Sequence, residues 1–139
     1  MESIAVIFWS GTGNTATMAQ EVVAGTGGQA KLINVTDTNA DEAAAYDKLA
    51  LGCPSMGDEV LEEDEMEPFF TALEGKISGK KVVLFGSYDW GDGQWMRDWV
   101  DRAKADGAVV FGDEGLIVNE TPSEEDLENC KQFGENFAK

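Results

Sequence analysis

At 139 residues and 42% hydrophobic content the chain can bury one ordinary core but not two enzyme-sized domains, so a single domain over residues 1–139 is expected. It has no histidine, which removes the commonest general base, the usual zinc ligand and every Ser-His or Cys-His nucleophile pair. Ten basic against 27 acidic residues give a formal charge of −17, which repels nucleic acid and anionic membrane surfaces and steers a basic partner inward.

The start, Met1-Glu2-Ser3, carries no basic leader, and no apolar run approaches the ~20 residues that cross a bilayer, so a cytoplasmic protein is expected. Ile4 to Trp9 is a nearly unbroken apolar strand of the kind buried on both faces. Met18, Ala19, Val22 and Val23 then fall on one side of a helix, which Gly25, Gly27 and Gly28 end. Leu32 to Val35 reads as a second strand, residues 40 to 45 as a weak alanine-rich helix, and Tyr46 to Gly52 as a third strand. The fourth strand is Lys81 to Phe85, and the fifth runs from Ala108 to Phe111 and resumes at Leu116-Ile117-Val118. Between these two strands Trp95, Met96, Trp99, Val100 and Ala103 repeat at helical spacing, and Leu127, Cys130, Phe133, Gly134 and Phe137 share a face of the last helix. Thr121 as N-cap, Pro122 at the first helical position and Glu124 form the capping box expected to start that helix. Cys53 and Cys130 are too far apart in sequence for a CxxC motif and are expected as a free, buried, inert pair.

This alternation predicts a doubly wound α/β domain, a parallel sheet with helices on both faces. Ligands of such sheets bind beyond the carboxyl ends of the strands where the winding reverses, which directs attention to three loops, SGTGNT, CPSMGDE and SYDWGDG.

The first loop places Gly11 and Gly13 between a strand and a helix, where unsatisfied backbone N–H groups favour an anion. It lacks the lysine and the spacing of a P-loop. Gly11-Thr12-Gly13-Asn14-Thr15-Ala16 satisfies the dinucleotide pattern GxGxxA, with Asp37 near the end of the second strand where a ribose-binding carboxylate is expected. Ser10, Thr12, Asn14 and Thr15, however, add three hydroxyls and an amide, a surplus of donors that favours the terminal phosphate of a mononucleotide. In the other two loops Met56 precedes Gly57-Asp58-Glu59, and Tyr88, Asp89 and Trp90 precede Gly91. Met56 and Trp90 can sandwich a flat aromatic ring.

The stretches WSGTGNT from Trp9, GCPSMGDE from Gly52 and GSYDWGDGQW from Gly86 resemble the signature segments of short-chain flavodoxins, in matching order along essentially the whole chain. The resemblance implies a flavodoxin-like three-layer fold, a five-stranded parallel sheet in the order 2-1-3-4-5, and a monomeric one-electron carrier with non-covalent FMN rather than an enzyme. It implies a phosphate held by Ser10, Gly11, Thr12, Gly13, Asn14 and Thr15, and a ring held between Met56 and Trp90. The cofactor-binding set implied is completed by Pro54, Ser55, Gly57, Asp58, Glu59, Ser87, Tyr88, Asp89, Gly91 and Asn119. Glu59 would accept from flavin N3–H, and the Gly57 carbonyl would reorient to accept from the N5–H that exists only after reduction. The carrier would then shuttle between neutral semiquinone and anionic hydroquinone at low potential, the second step being disfavoured by the chain's charge.

Asp89 stands where this family usually has glycine. If the position needs positive φ, aspartate is strained there, and in any case its carboxylate adds charge near the flavin. The acidic stretch Asp58-Glu59 and Glu62 to Glu67 fits no EF-hand loop, so no metal site is expected. It reads as a solvated face that docks redox proteins with basic surfaces, with no role for nucleic acid or membrane.

Overall fold

The long apolar runs become the middle of a parallel sheet. The computed structural model describes residues 3–11, 13–56, 60–89, 91–112 and 114–139. Strands β1 (Ile4–Phe8), β3 (Lys48–Gly52) and β4 (Lys81–Tyr88) are central, and β2 (Ala30–Asn34) lies at one edge. At the other edge β5 (Val109–Val110) and β6 (Leu116–Asn119) both pair with β4, at Lys81↔Val109 and Phe85↔Leu116 respectively. The order is β2-β1-β3-β4-β5 and every strand pair is parallel, as expected. The single fifth strand of the expectation is thus two strands of one edge, interrupted around Gly112.

Helices α1 (Asn14–Gly25) and α5 (Glu124–Ala138) cover one face, burying Met18, Ala19, Val22, Cys130 and Phe137 against Ile4, Val6, Val83 and Phe85. Helices α2 (Ala40–Ala44), α3 (Met66–Leu73) and α4 (Gln94–Ala105) cover the other, where Phe70, Trp95 and Trp99 meet Ile7, Leu49, Leu51 and Leu84. Cys53 and Cys130 are free and buried on opposite faces, and burial pushes both thiols up to about 12. No helix among the described residues is long and apolar enough to cross a membrane.

Two local readings change. Helix α5 starts two residues later than Thr121 implies: Glu120, at φ 57, turns the chain, and the N-cap is Ser123. Its hydroxyl accepts from Asp126 N at 3.1 Å while Asp126 Oδ2 accepts from Ser123 N at 2.9 Å, a capping box two residues further along the chain. Helix α3 lies in the stretch read as a solvated acidic face. Glu63 and Asp64 are exposed, but Glu62 and Met66 are buried and Glu67 is paired with Arg102.

Lys48 is buried at the base of β3, with Nζ donating to Phe137 O at 2.8 Å and to a main-chain oxygen of Lys139 at 3.2 Å. A cation there satisfies carbonyls that the end of α5 leaves without intrahelical partners.

Arg102 forms a bidentate pair with Glu67 (2.8 and 2.9 Å), reaches Glu74 at 3.0 Å and covers the Phe70 ring at 4.9 Å. Its guanidinium holds the Glu67 carboxyl below the usual carboxylate range. Asp106, one turn along α4, goes the other way. Desolvation, then the adjacent Glu74, raises it from 3.8 to about 6, and its Oδ2 is buried without a hydrogen-bond partner. A carboxyl raised in the folded state binds its proton more tightly there, so this group costs stability as pH rises through the window from 3.8 to about 6. Asp106→Asn is therefore expected to raise stability at pH 7 by about 1 kcal/mol once solvent screening is allowed for. The gain should vanish below about pH 4. Urea unfolding at both pH values checks this, and an equal gain at both would remove titration of Asp106 as the cause.

Candidate functional site

The ends of β1, β3 and β4 converge on one cleft lined by Trp9, Gly11, Asn14, Pro54, Ser55, Met56, Ser87, Tyr88 and Asp89. Hydrogen bonds continue the sheet past the formal strand ends and set these walls: Trp9 N donates to Gly52 O at 3.0 Å, Cys53 N to Phe85 O at 3.1 Å and Ser55 N to Ser87 O at 3.0 Å. Tyr88 is fixed by Trp95, ring centroids 5.6 Å apart, and Trp95 Nε1 donates to Cys53 O at 3.2 Å. Gly86 admits this packing, since a Cβ there would lie 2.1 Å from Cys53 O.

The α1 end of the cleft is prepared for an anion. The N-cap of α1 is Gly13, at φ 99, with no side-chain cap and no acidic residue in the first turn. Asn39 and Ser123 cap α2 and α5, and both helices carry acids in the first turn. Helix α4 shares the bare start, at Gly93, but adds no residue to this cleft, so it is the position of α1 that matters. In a chain with 27 acidic residues, an acid-free helix N-terminus opening into a cleft favours an external anion. Ser10 Oγ accepts from Gly13 N at 3.1 Å and Ala16 N at 3.2 Å, which arranges the turn and leaves the hydroxyl proton to be donated outward.

Of the residues expected here, Gly11, Asn14, Pro54, Ser55, Met56, Ser87, Tyr88 and Asp89 line the cleft itself. Ser10 and Gly13 shape the turn beside it. Thr15 is buried and its Oγ1 shares a 2.9 Å hydrogen bond with Ser87 Oγ, so these hydroxyls tie α1 to β4. Asn119 is exposed and sits behind the third loop, its Nδ2 donating to Tyr88 O at 3.1 Å and Asp89 O at 3.4 Å. Gly91 is exposed at φ 87. Thr12, Gly57, Asp58, Glu59 and Trp90 lie outside the described residues.

Asp89 is exposed and is not in the left-handed region; among the described residues Glu120 is the non-glycine residue with positive φ. The condition for backbone strain at Asp89 is not met, and only the charge of its carboxylate remains. Asp37 is not part of the cleft lining. It lines a separate depression with Lys31, Thr38, Glu42 and Tyr46, which removes the support it lent to a dinucleotide reading. Trp9, outside the expected binding set, also lines the cleft. A large half-buried aromatic at the carboxyl end of a central strand, adjoining a glycine turn, was the signal available.

The cleft can therefore take a phosphate at the start of α1 and a flat ring against the walls formed by Trp9, Met56 and Tyr88. Comparison with known proteins agrees with this chemistry. The sequence model of the family described as Flavodoxin matches residues 6–134. A flavodoxin from Clostridium beijerinckii is 50% identical over 136 residues, covering 96% of this chain and 97% of that protein. One from Megasphaera elsdenii is 47% identical over 139 residues, with 98% of each covered. The solution structure of two-electron reduced Megasphaera elsdenii flavodoxin has a TM-score of 0.87 at 46% identity, covering 97% of this chain and 98% of that one.

Proposed function

The chain belongs to the flavodoxin family of FMN-dependent electron carriers, and from that premise we propose that it alternates between the neutral one-electron-reduced and the anionic two-electron-reduced state. The observation that carries the site assignment is the acid-free N-terminus of α1, which opens into the same cleft as Met56 and Tyr88. FMN, when bound, supplies two successive one-electron steps, and the residues present fit its phosphate and its ring. Backbone donors of the first turn of α1, with the Ser10 hydroxyl and Asn14, would hold the phosphate. Trp9, Met56, Tyr88 and Trp90 would exclude water from the ring, and Gly57 and Glu59 would contact its polar edge.

The charge of −17 makes each added negative charge in the cleft less favourable and so lowers the potential of the second step. The same field supports docking of redox proteins with basic faces, by a monomer working in the cytoplasm. Purified protein that shows flavin absorption and releases FMN on acid treatment supports this reading; a colourless protein that binds NADH refutes it. Electron delivery to a basic partner should slow as salt rises, and a rate independent of salt would remove the docking part.

Asp89→Gly isolates one contribution to that field. With no left-handed strain to relieve, the substitution should raise the second potential by tens of millivolts while changing FMN affinity little, since ~59 mV corresponds to about 1.4 kcal/mol for one electron. Redox titration with a parallel FMN titration decides: an unchanged second potential rules out the carboxylate as a contributor.

A further inference from the structure

We infer that Glu62, behind the cleft and outside its lining, is a positioning residue for the loop that carries Met56. This rests on the reading of the cleft as the FMN site. The loop joins β3 to α3 and closes twice. Its outer closure is between Cys53 and Glu62, where Glu62 N donates to Cys53 Sγ at 3.4 Å. Its inner closure is an antiparallel bridge in which Met56 and Val60 exchange two N–H to O bonds of 2.9 Å each. Only Leu61 separates Val60 from Glu62. Whatever fixes Glu62 therefore fixes Val60 and, through the bridge, Met56 at the cleft wall.

The side chain of Glu62 does this fixing. Its carboxylate accepts from the backbone N–H groups of Asp64 (2.8 Å), Glu65 (2.9 Å) and Met66 (3.0 Å), and its own carbonyl accepts from Glu67 N at 2.8 Å. At 5% exposure it is the buried carboxylate among the described residues. Burying such a group is costly unless hydrogen bonds replace water, and three charge-assisted bonds replace it here. The start of α3 has no N-cap side chain of its own, so these three donors depend on Glu62. Helix α3 is in turn immobilised in the core by Met66, Phe70 and Leu73, each fully buried. The cofactor-facing loop is thereby tied to a rigid element, whereas the Met56–Val60 bridge alone is two hydrogen bonds beside an exposed valine.

Glutamine cannot take over, because it presents one acceptor oxygen and an NH2 group to three converging donors. Glu62→Gln is compared with the parent and with Val110→Ala, a core change at the β5 edge that touches neither the loop nor α3's anchoring side chains. In the apoprotein, amide exchange at Met56 and Val60 should accelerate about ten-fold or more in Glu62→Gln while that of Val6 and Val83 stays put. FMN binding, followed by flavin fluorescence, should weaken by about ten-fold. Val110→Ala should leave both readouts within about two-fold of the parent at its own loss of melting temperature. If Glu62→Gln does not fold, Glu62→Asp, which keeps both acceptor oxygens on a shorter arm, should show the same pattern at smaller size. Unchanged exchange at Met56 and Val60, or an equal effect of Val110→Ala on FMN affinity, overturns the proposal. A parent that binds no FMN overturns the reading of the cleft instead, and the exchange measurement on the apoprotein still decides whether Glu62 holds the loop.

Discussion

Ser10→Asp is expected to leave the apoprotein at least as stable as the parent while weakening FMN binding about 100-fold or more. The two effects share one cause. In the parent, Ser10 Oγ accepts from the backbone N–H groups of Gly13 and Ala16, and Gly13 itself offers no cap. A carboxylate at the same place accepts those bonds more strongly and adds a negative charge to the N-terminus of α1, which lacks one in its first turn. Such a cap is worth about 0.5–2 kcal/mol to the helix. For a phosphate the same change is doubly adverse, since the outward hydroxyl donor of Ser10 is lost and the incoming dianion meets a fixed negative charge. At 4 Å and an effective dielectric near 20, one such pair costs about 4 kcal/mol, and 1.4 kcal/mol is a factor of about ten in affinity. FMN titration and thermal unfolding of the apoprotein check both halves. Near-parental FMN affinity would place the phosphate elsewhere.

What could be read from the residues, and what could not, follows from the range of the interactions involved. Hydrophobic periodicity is local, so the strand series and the apolar face of α4, Trp95, Met96, Trp99, Val100 and Ala103, were legible and are the buried positions observed. The glycine turn was legible because backbone donors at a helix start need no distant partner. Helix α3 was hidden although Met66, Phe69, Phe70 and Leu73 have helical spacing, because an acidic run precedes it and Pro68 sits in its first turn. Proline there costs little, as its missing N–H would have had no intrahelical partner. The burial of Glu62 was not legible at all. Nothing local distinguishes it from exposed Glu63; what does is the core that α3 enters. The capping box expected at Thr121 is likewise overruled by a non-local turn: Glu120 redirects the chain and leaves Ser123 as the N-cap.

The second large effect tests the scaffold that carries the phosphate turn. Helices α1 and α5 cross at two glycines: a Cβ on Gly134 would lie 2.0 Å from Val22 O, and one on Gly25 would lie 1.9 Å from Lys131 O. Both clashes are with backbone, which no rotamer change relieves. Gly134→Ala gains up to about 1 kcal/mol in helix propensity, whereas forcing a methyl group into a closed contact costs about 1–3 kcal/mol, and the rigid backbone overlap places this site at or above the upper end. The net loss of about 2 kcal/mol or more should lower the melting temperature by about 6 °C or more in a domain of this size. Gly75→Ala provides the control, because no atom lies within 4 Å of its added Cβ and its φ is ordinary; it should be neutral or slightly stabilising. The functional consequence follows from position. Displacing α1 moves Asn14, Thr15 and the amides at its start relative to Ser87 on β4, so FMN affinity should fall in Gly134→Ala and not in Gly75→Ala. Gly134→Ala with parental stability would mean that the two helices separate without cost, and the phosphate turn would then owe its placement to β1 alone.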